Sequence, residues 1–391
     1  MTARQHQSHQ NLLAHIDAGV APRAALDAII VPNGRTAPYL RQAIAAAKER
    51  DVFLLVLCSL LGDASKAVKE AKRAGVRAAA INIREVPHHL VPTFHADNLL
   101  YHRGFDRKVD TSLKRNLGLL IAVLAGWERI LFLDDDITLP DPGDLSVAAR
   151  LLSEYAAVGL GNAGMPDNSV VCHALRDTGV AQATFIGGGA LAVGEAAFGS
   201  FFPNVYNEDW FFLLDGMRLR PSAVTGTAIQ HPYDPYRDAR RARGEELGDT
   251  LAEGVYGLLD NGHGPADADE RYWREFLLNR QEIIRTTIAN AQALPIEPAL
   301  KARMVASLKA AIGRSYLITP ELCVRYLRAW RRDCERWGNH VQDLRSDHES
   351  CGVDGALAML GIGQFAQRSL GSAVNAGVKR RSSASPSSAR A

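Results

Sequence analysis

The chain has 391 residues, more than one domain usually contains, so we expect one large core domain with an added helical part. Its 45 lysine and arginine residues nearly balance its 43 aspartate and glutamate residues, which argues against a dedicated nucleic-acid binder. The five cysteines form no CxxC pair, which argues against a disulfide framework and a cysteine-based zinc site and fits a reducing cytoplasm.

The two ends of the chain have no strong structural pattern. The opening MTARQHQSHQNLL lacks the apolar centre of a signal peptide, and the longest apolar run, 52–61, is about half a membrane span. We therefore expect a soluble, cytoplasmic protein without a transmembrane segment. We also expect residues 1–24 to be a mobile segment and residues 371–391 to be a disordered, basic and serine-rich tail.

Strand and helix patterns alternate in the first third of the chain. Short apolar runs predict strands, and helical patterns lie between them. The predicted strands are 27–32, 52–60, 76–83 and 129–134, and the predicted helices are 37–50, 65–74 and 111–125. This alternation predicts an α/β fold with a mostly parallel, Rossmann-like sheet flanked by helices. Such sheets bind ligands at the carboxyl edge of their strands.

The pattern changes after a loop rich in glycine, asparagine and proline at 159–169. From about residue 237 onward, polar and apolar residues recur at helical spacing. The clearest helices are predicted at 272–290, 298–314 and 320–344. We therefore place a sheet-based domain at 25–265 and a helical carboxyl-terminal region at 266–370.

Three carboxylates, Asp134, Asp135 and Asp136, directly follow the apolar strand RILFL. Mg²⁺ and Mn²⁺ prefer oxygen ligands, and one or two carboxylates plus diphosphate oxygens commonly complete their shell. Asp134 and Asp136 project to the same side if the strand geometry continues, with Asp135 opposite. We expect one of this pair at the metal and the other near a sugar or ribose. The alternative is a solvated acidic turn that caps the following helix.

Five segments in this order resemble the GT-A type glycosyltransferases of the family-2 kind, in which a DxD-type motif follows such a strand. They are VPNGR (31–35), KRNLGL (114–119), FLDDDI (132–137), IGGGALAV (186–193) and NEDWFF (207–212). The resemblance covers roughly residues 27–235. It implies a GT-A domain and metal-dependent transfer of a sugar, with Mn²⁺ or Mg²⁺, from a UDP- or GDP-linked donor to a hydroxyl acceptor.

By that resemblance, four residues outside the acidic run contact the donor. Pro32 and Asn33 line the nucleobase pocket, although Asn33 also fits a plain turn residue. Arg115 and Asn116 approach the nucleotide, since a guanidinium clamps phosphate oxygens or packs on a base. The alternative for Arg115 is an exposed helix residue. Asp134 and Asp135 complete the expected donor contacts.

The resemblance also covers a glycine run and a histidine. Gly187, Gly188 and Gly189 form a run that a strand interior avoids, and close approach of the donor sugar explains it. A simple bend or bulge is the alternative. His231 lies where some members of the family place a third metal ligand, and a neutral imidazole suits manganese. A lone histidine is more often structural.

The acidic pair Glu208 and Asp209 precedes an aromatic helix start and resembles the family's acceptor-side ED motif. An inverting transfer needs a carboxylate that accepts the acceptor's hydroxyl proton, and we assign this role to Asp209 first and Glu208 second. In a retaining transfer the pair would orient sugar hydroxyls. The alternative is that both residues only cap the helix.

Two further classes of function remain open. A sugar-phosphate nucleotidyltransferase also uses strand-end aspartates, but VPNGRTAPYL lacks the glycine-rich, basic loop that this class carries after its first strand. A non-catalytic nucleotide-sugar-binding protein would bind metal and nucleotide without turnover.

The predicted helix after Pro320 carries an apolar stripe at alternating steps of four and three. Its members are Cys323, Leu327, Trp330, Cys334 and Trp337. The stripe docks on the sheet domain or on a second subunit, which would make a homo-oligomer through these helices. The alternative is an acceptor groove lined by tryptophan or a contact with an anionic surface.

Overall fold

The computed structural model describes residues 3–19, 22–166, 169–347 and 350–369. The tail that we expected at 371–391 lies outside these residues. The described strands, in chain order, are β1 Ala14–His15, β2 Ala28–Asn33, β3 Phe53–Cys58, β4 Ala78–Asn82, β5 Arg129–Leu133, β6 Ile137–Thr138, β7 Ala157–Asn162, β8 Ala190–Gly194, β9 Ser222–Gln230 and β10 Ala366–Arg368.

Twelve α-helices fall within the described ranges. They are α1 Arg41–Arg50, α2 Ala64–Ala74, α3 His95–His102, α4 Thr111–Ala125, α5 Asp144–Leu151, α6 Val170–Asp177, α7 Glu208–Phe212, α8 Ala239–Asp260, α9 Glu270–Ala293, α10 Pro298–Ser315, α11 Pro320–Asp347 and α12 Gly352–Met359. None of the helices in the described part of the chain combines the length and apolar character needed to cross a membrane.

The strands form one sheet in the order β1-β9-β7-β8-β5-β2-β3-β4-β10, with β6 paired to β9. The predicted α/β fold and parallel centre are confirmed, because β5, β2, β3 and β4 are all parallel to one another. Strand β8 runs antiparallel to both β5 and β7, which the sequence patterns did not predict. This reversal places the start of β8 at the carboxyl end of β5.

Helices cover both faces of the sheet. Alternate residues of a strand face opposite sides. In β2, Ile30 belongs to the core cluster that contains α4 and the carboxyl-terminal helices, whereas Ile29 belongs to the cluster that contains α1, α2 and α5. Both residues are fully buried. This two-sided burial explains why these strands read as continuous apolar runs.

The apolar stripe of α11 packs inside the chain. The ring of Trp330 lies 5.3 Å from that of Phe211, and Trp337 donates from Nε1 to the carbonyl oxygen of Phe198 at 2.9 Å. The tryptophans of the stripe are fully buried, so they line no open acceptor groove and offer no surface to a second subunit. Oligomer formation through other faces of these helices stays a prediction. The predicted boundary between two regions at residue 265 also stays a prediction. One core cluster contains residues of both the sheet and the carboxyl-terminal helices.

The amino-terminal segment that we expected to be mobile makes specific contacts where it is described. Strand β1 pairs in parallel with β9, and Ile16 donates its N–H to the carbonyl oxygen of Val224 at 3.0 Å. Ala3 and His9 are both buried. The segment therefore extends the sheet at one edge and lies against α8.

Candidate active site

The register of the sheet brings the acidic run to the glycine run. Leu133 at the end of β5 pairs with Ala190 at the start of β8, and one residue further the N–H of Asp134 donates to the carbonyl oxygen of Gly189 at 2.9 Å. Because β8 is antiparallel to β5, the residues before β8 meet the residues after β5. The glycines and the carboxylates thus share the carboxyl edge of the sheet.

Arg115 connects the two acidic motifs. This residue of α4 is buried, and its Nη2 lies 3.1 Å from both carboxylate oxygens of Asp134 while its Nη1 lies 2.9 Å from Oε1 of Glu208. Its guanidinium also lies over the ring of Phe202, 5.5 Å from the ring centroid. An exposed position for Arg115, the alternative reading of the sequence, is wrong. The buried cation holds carboxylates from distant segments in one place.

The middle glycine of the run makes room for this arginine. A Cβ atom on Gly188 would lie 2.3 Å from Cζ of Arg115 and 2.4 Å from each Nη, far inside van der Waals contact. A Cβ on Gly189 would meet Ile137 at 3.4 Å, which is ordinary packing. Glycine at 188 is therefore required by a side chain of the protein itself, whereas the sequence suggested close approach of a sugar. Gly187 and Gly189 line the adjacent cleft.

Glu208 and Asp209 open the five-residue helix α7, after Asn207 in the left-handed conformation with a φ of 60°. Glu208 is occupied by two arginines, since Arg107 also approaches its Oε2 at 3.4 Å. Asp209 instead accepts two backbone N–H groups, from Gly188 at 2.7 Å and from Trp210 at 2.9 Å. These bonds fix the direction of the Asp209 carboxylate.

The electrostatic surroundings single out Asp209. Burial raises the pKa of its carboxyl, and the negative charge of Glu208 raises it further, while Arg115 and the N–H groups of Gly188 and Trp210 oppose the rise. A carboxylate with a raised pKa holds a transferred proton better than an ordinary one. Among the acidic residues of the cleft, Asp209 is thus the best placed to accept a proton.

These residues surround a polar cleft with a volume of about 220 Å³. Six of the residues expected at the site line it: Arg115, Asp134, Gly187, Gly189, Glu208 and Asp209. Phe185 and Trp210 form an apolar part of the wall. Carboxylates from the acidic run and from α7 therefore face one shared cleft.

Asp135 fixes the loop after β2. Its Oδ2 accepts from Nδ2 of Asn33 and from the N–H of Gly34 at 3.0 Å, and from the N–H of Arg35 at 3.1 Å. Burial raises the pKa of Asp135, and the N–H groups of Gly34 and Arg35 and the charge of Arg35 oppose the rise. Asp135 therefore orders this loop through Oδ2, while its Oδ1 lies 3.4 Å from Nη1 of Arg35; its contact with a donor stays a prediction.

Three other expected donor contacts lie outside the cleft lining. Asn116 is buried, and its side-chain amide exchanges two hydrogen bonds with the backbone of Phe202, at 2.8 and 2.9 Å. Its role here is structural. Pro32 and Asn33 are buried at the end of β2, outside the cleft lining, although Oδ1 of Asn33 and the hydroxyl of Ser59 have no hydrogen-bond partner within the described structure.

Asp136 pairs with Arg35, which our sequence analysis did not single out. Nη2 of Arg35 lies 2.8 Å from Oδ2 of Asp136. The pairing joins residues about one hundred positions apart, so spacing along the chain gave no signal for it. Arg107 was missed for the same reason.

The carboxylates of the acidic run suffice to hold a divalent cation only when a bound substrate supplies further oxygen atoms. Within the described residues, no group of three close potential ligands includes Asp134, Asp136 or His231. The side chains of Asp134 and Asp136 remain 30% and 19% exposed, so both carboxylates are open to solvent. Mg²⁺ commonly binds one or two carboxylates and completes its shell with phosphate oxygens and water. The two aspartates fit that pattern once Arg35 leaves Asp136 and one oxygen of Asp134 turns from Arg115 to the ion.

His231 lies beside the acidic run through its backbone. Its N–H donates to the carbonyl oxygen of Asp136 at 3.0 Å because β6 pairs with β9. Its Nε2 lies 2.7 Å from the hydroxyl of Thr138, on the protein surface. The imidazole of His231 thus contacts the hydroxyl of Thr138 and does not form a ready-made set of metal ligands with Asp134 and Asp136.

No protein-family model matches the chain, and no curated protein matches it in sequence. Among solved structures, the chain is similar to a mannosyltransferase from Pyrobaculum calidifontis in complex with GDP-Man and Mn²⁺. The two are 15% identical, the alignment covers 85% of this chain and 92% of that chain, and the TM-score is 0.38. A likeness at this level supports no conclusion about the function of this chain.

Proposed function

We propose that the protein is a metal-dependent GT-A glycosyltransferase that moves a sugar from a UDP- or GDP-linked donor to a hydroxyl acceptor. The observation that carries this proposal is the bridge made by Arg115. It holds Asp134, at the end of β5, and Glu208, at the start of α7, around one cleft that Asp209 also lines. A transferase of this kind needs donor-side and acceptor-side carboxylates within one substrate length.

The donor side consists of the carboxylates after β5. We assign Asp134 and Asp136 to a Mn²⁺ or Mg²⁺ ion whose remaining ligands come from the donor diphosphate and water. Such an ion, when bound, neutralises the negative charge that develops on the departing nucleoside diphosphate. His231 remains a candidate third ligand, on condition that it leaves the hydroxyl of Thr138. Asp135 contributes by fixing the loop after β2.

The acceptor side consists of α7. Asp209 accepts the proton of the acceptor hydroxyl while that oxygen forms its bond to the anomeric carbon and the bond from that carbon to the diphosphate oxygen breaks. The N–H groups of Gly188 and Trp210 keep the Asp209 carboxylate in place during this step. Glu208, held by Arg115 and Arg107, orients the cleft and receives no proton. In a retaining transfer, Asp209 would orient hydroxyl groups.

The loop after β2 disfavours a sugar-phosphate nucleotidyltransferase. Such an enzyme binds a nucleoside triphosphate through free backbone N–H groups in a glycine-rich loop. Here the N–H groups of Gly34 and Arg35 already donate to Asp135, and the chain enters a short 3₁₀ helix at Ala37. The loop is therefore short, and the N–H groups of Gly34 and Arg35 already have an acceptor. A transferase and a non-catalytic nucleotide-sugar-binding protein are the two functions that an experiment must distinguish.

A thermal-shift panel tests the donor site. UDP, GDP, ADP, TDP and their sugar conjugates are added at fixed Mn²⁺, at fixed Mg²⁺ or with a chelator, and the nucleotide-dependent change in Tm is recorded. At a ligand concentration 100 times the Kd, binding adds about 2.7 kcal/mol to stability. For a chain of 391 residues this corresponds to a rise of about 3 °C.

Two variants test whether the thermal shift depends on the acidic run. Asp136→Ala should abolish the metal-dependent shift and keep the fold, whereas the exposed Glu154→Ala, outside the cleft, should keep the shift. Equal shifts in Asp136→Ala and wild type would remove the acidic run from the metal site. Slow release of free sugar from the stabilising donor then separates an enzyme from a binder, because a binder would give the shift without any hydrolysis.

A further inference from the structure

A second group of potential metal ligands lies where the amino-terminal segment contacts α8. His6 and His9 come from that segment, and Asp260 is the last residue of α8. One ligand atom of each residue lies within 4.8 Å of the other two. This group uses no residue of the proposed donor or acceptor side.

Both histidines direct the same ring nitrogen at one carboxylate. Nδ1 of His6 lies 3.0 Å from Oδ2 of Asp260, and Nδ1 of His9 makes a close contact with the same oxygen. Tetrahedral ligands about 2.0–2.1 Å from Zn²⁺ are roughly 3.3 Å apart. The separation of His6 from Asp260 is close to that value, and His9 would move outward from Asp260 to admit an ion.

The opposite nitrogen of His9 has the partner that metal-bound histidines usually have. Its Nε2 lies 3.2 Å from Oε2 of Glu253, seven residues before Asp260 and so on the same face of α8. A histidine that binds a metal through one ring nitrogen commonly donates the other N–H to a carboxylate, which fixes the ring and its tautomer. Glu253 is placed to accept that N–H.

The carboxylates around this group are buried and share few counter-charges. Asp260 and Glu253 are 4% and 5% exposed, and Oδ1 of Asp260 is buried without a hydrogen-bond partner among the described residues. Burial lowers the pKa of His9, but its hydrogen bonds to Asp260 and Glu253 raise it to about 9, so a protonated His9 is their counter-charge. A divalent cation would replace the proton on Nδ1 of His9 and place two charges beside the buried carboxylates.

We propose that Nδ1 of His6, Nδ1 of His9 and the carboxylate of Asp260 bind a divalent transition-metal ion of the Zn²⁺ type, with Glu253 supporting His9. Two imidazoles and a carboxylate suit such an ion, whereas Mg²⁺ and Ca²⁺ prefer oxygen ligands throughout. The site clamps the amino-terminal segment to α8. It also reaches the cleft wall, because the ring of His9 packs 5.4 Å from that of Trp210, next to Asp209.

Titration of the chelator-treated full chain with Zn²⁺ against a chromogenic competitor, without nucleotide, tests this proposal. We expect one Zn²⁺ bound per chain. His6→Ala should weaken binding at least tenfold, and because His6 is partly exposed this variant should keep the fold, which its Tm without metal checks. Glu253→Gln should weaken binding by about 10–100-fold. His15→Ala, an exposed histidine of the same segment, is the matched control and should bind as wild type.

The outcomes distinguish this site from the acidic run. Asp136→Ala should take up Zn²⁺ like the wild type, so the result does not depend on the proposed donor site. The proposal is overturned if the wild type takes up no stoichiometric Zn²⁺, if His6→Ala binds it unchanged, or if Asp136→Ala loses it. In the first case, His9 would serve as a hydrogen-bonded partner of Asp260 and Glu253 alone.

Discussion

Gly188→Ala probes the contact on which the cleft is built. The added methyl group would overlap the guanidinium of Arg115, whose Cζ lies 2.3 Å from the ideal Cβ position. The backbone at 188 has a φ that alanine adopts without strain, so the clash is the effect of the change. Arg115 is buried and cannot move away without loosening its pairs with Asp134 and Glu208.

Loss of one partner from a buried ion pair costs about 3–5 kcal/mol. A partial displacement of Arg115 should therefore lower the free energy of unfolding by about 3 kcal/mol. At about 2.1 cal/mol/K per residue, the unfolding entropy of 391 residues is about 0.8 kcal/mol/K, so Tm should fall by about 4 °C. Donor turnover should fall with it, because the carboxylates of the cleft lose their common anchor.

Gly189→Ala is the matched control. Its Cβ would meet Ile137 at 3.4 Å, an ordinary contact, so its Tm should stay within about 1 °C of the wild type. Differential scanning fluorimetry of both variants, with sugar release from the donor measured alongside, makes the comparison. If the two alanine variants have the same Tm, Arg115 does not organise the cleft in the way described.

Two other substitutions test the base and the fold. Asp209→Asn should lower kcat by about 10²–10⁴ while the donor-induced thermal shift persists. Wild-type turnover should fall as the pH drops through the raised pKa of Asp209, because a protonated carboxyl accepts no proton. Near-normal turnover of the variant would exclude Asp209 as the base. Asp333→Asn should lower Tm by about 2–4 °C, because Asp333 accepts the N–H groups of His95 and Ala96 at the start of α3, both at 2.8 Å. The exposed Asp343→Asn on the same helix should leave Tm unchanged, and an equal loss in both would contradict that role.

The order of elements could be predicted from the sequence because local patterns determine it. The apolar strand before Asp134, the glycine run and the acidic pair at 208–209 each have a local signal, and the sheet edge brings them together. The roles of Gly188 and Asp135 could not be predicted, since each depends on a partner from a distant segment. The resemblance predicted that Asn116 approaches the nucleotide. In the structure its buried side chain instead forms hydrogen bonds with the backbone of Phe202.

The roles of His6 and His9 also could not be predicted from local sequence patterns. They lie in a polar stretch without helical or strand periodicity, so local pattern suggests a mobile end. Their partners on α8 are about 250 positions away. Only the folded arrangement of α8 against the amino-terminal segment makes the cluster visible.

The two outer strands of the sheet, β1 and β10, come from opposite ends of the described chain. During synthesis, the outer edge of β4 therefore stays unpaired until residues 366–368 emerge from the ribosome. An unpaired edge strand is a template for pairing with another chain. Shortened versions that stop before Ala366 should accordingly fail first through aggregation, even though every residue of the cleft would be present.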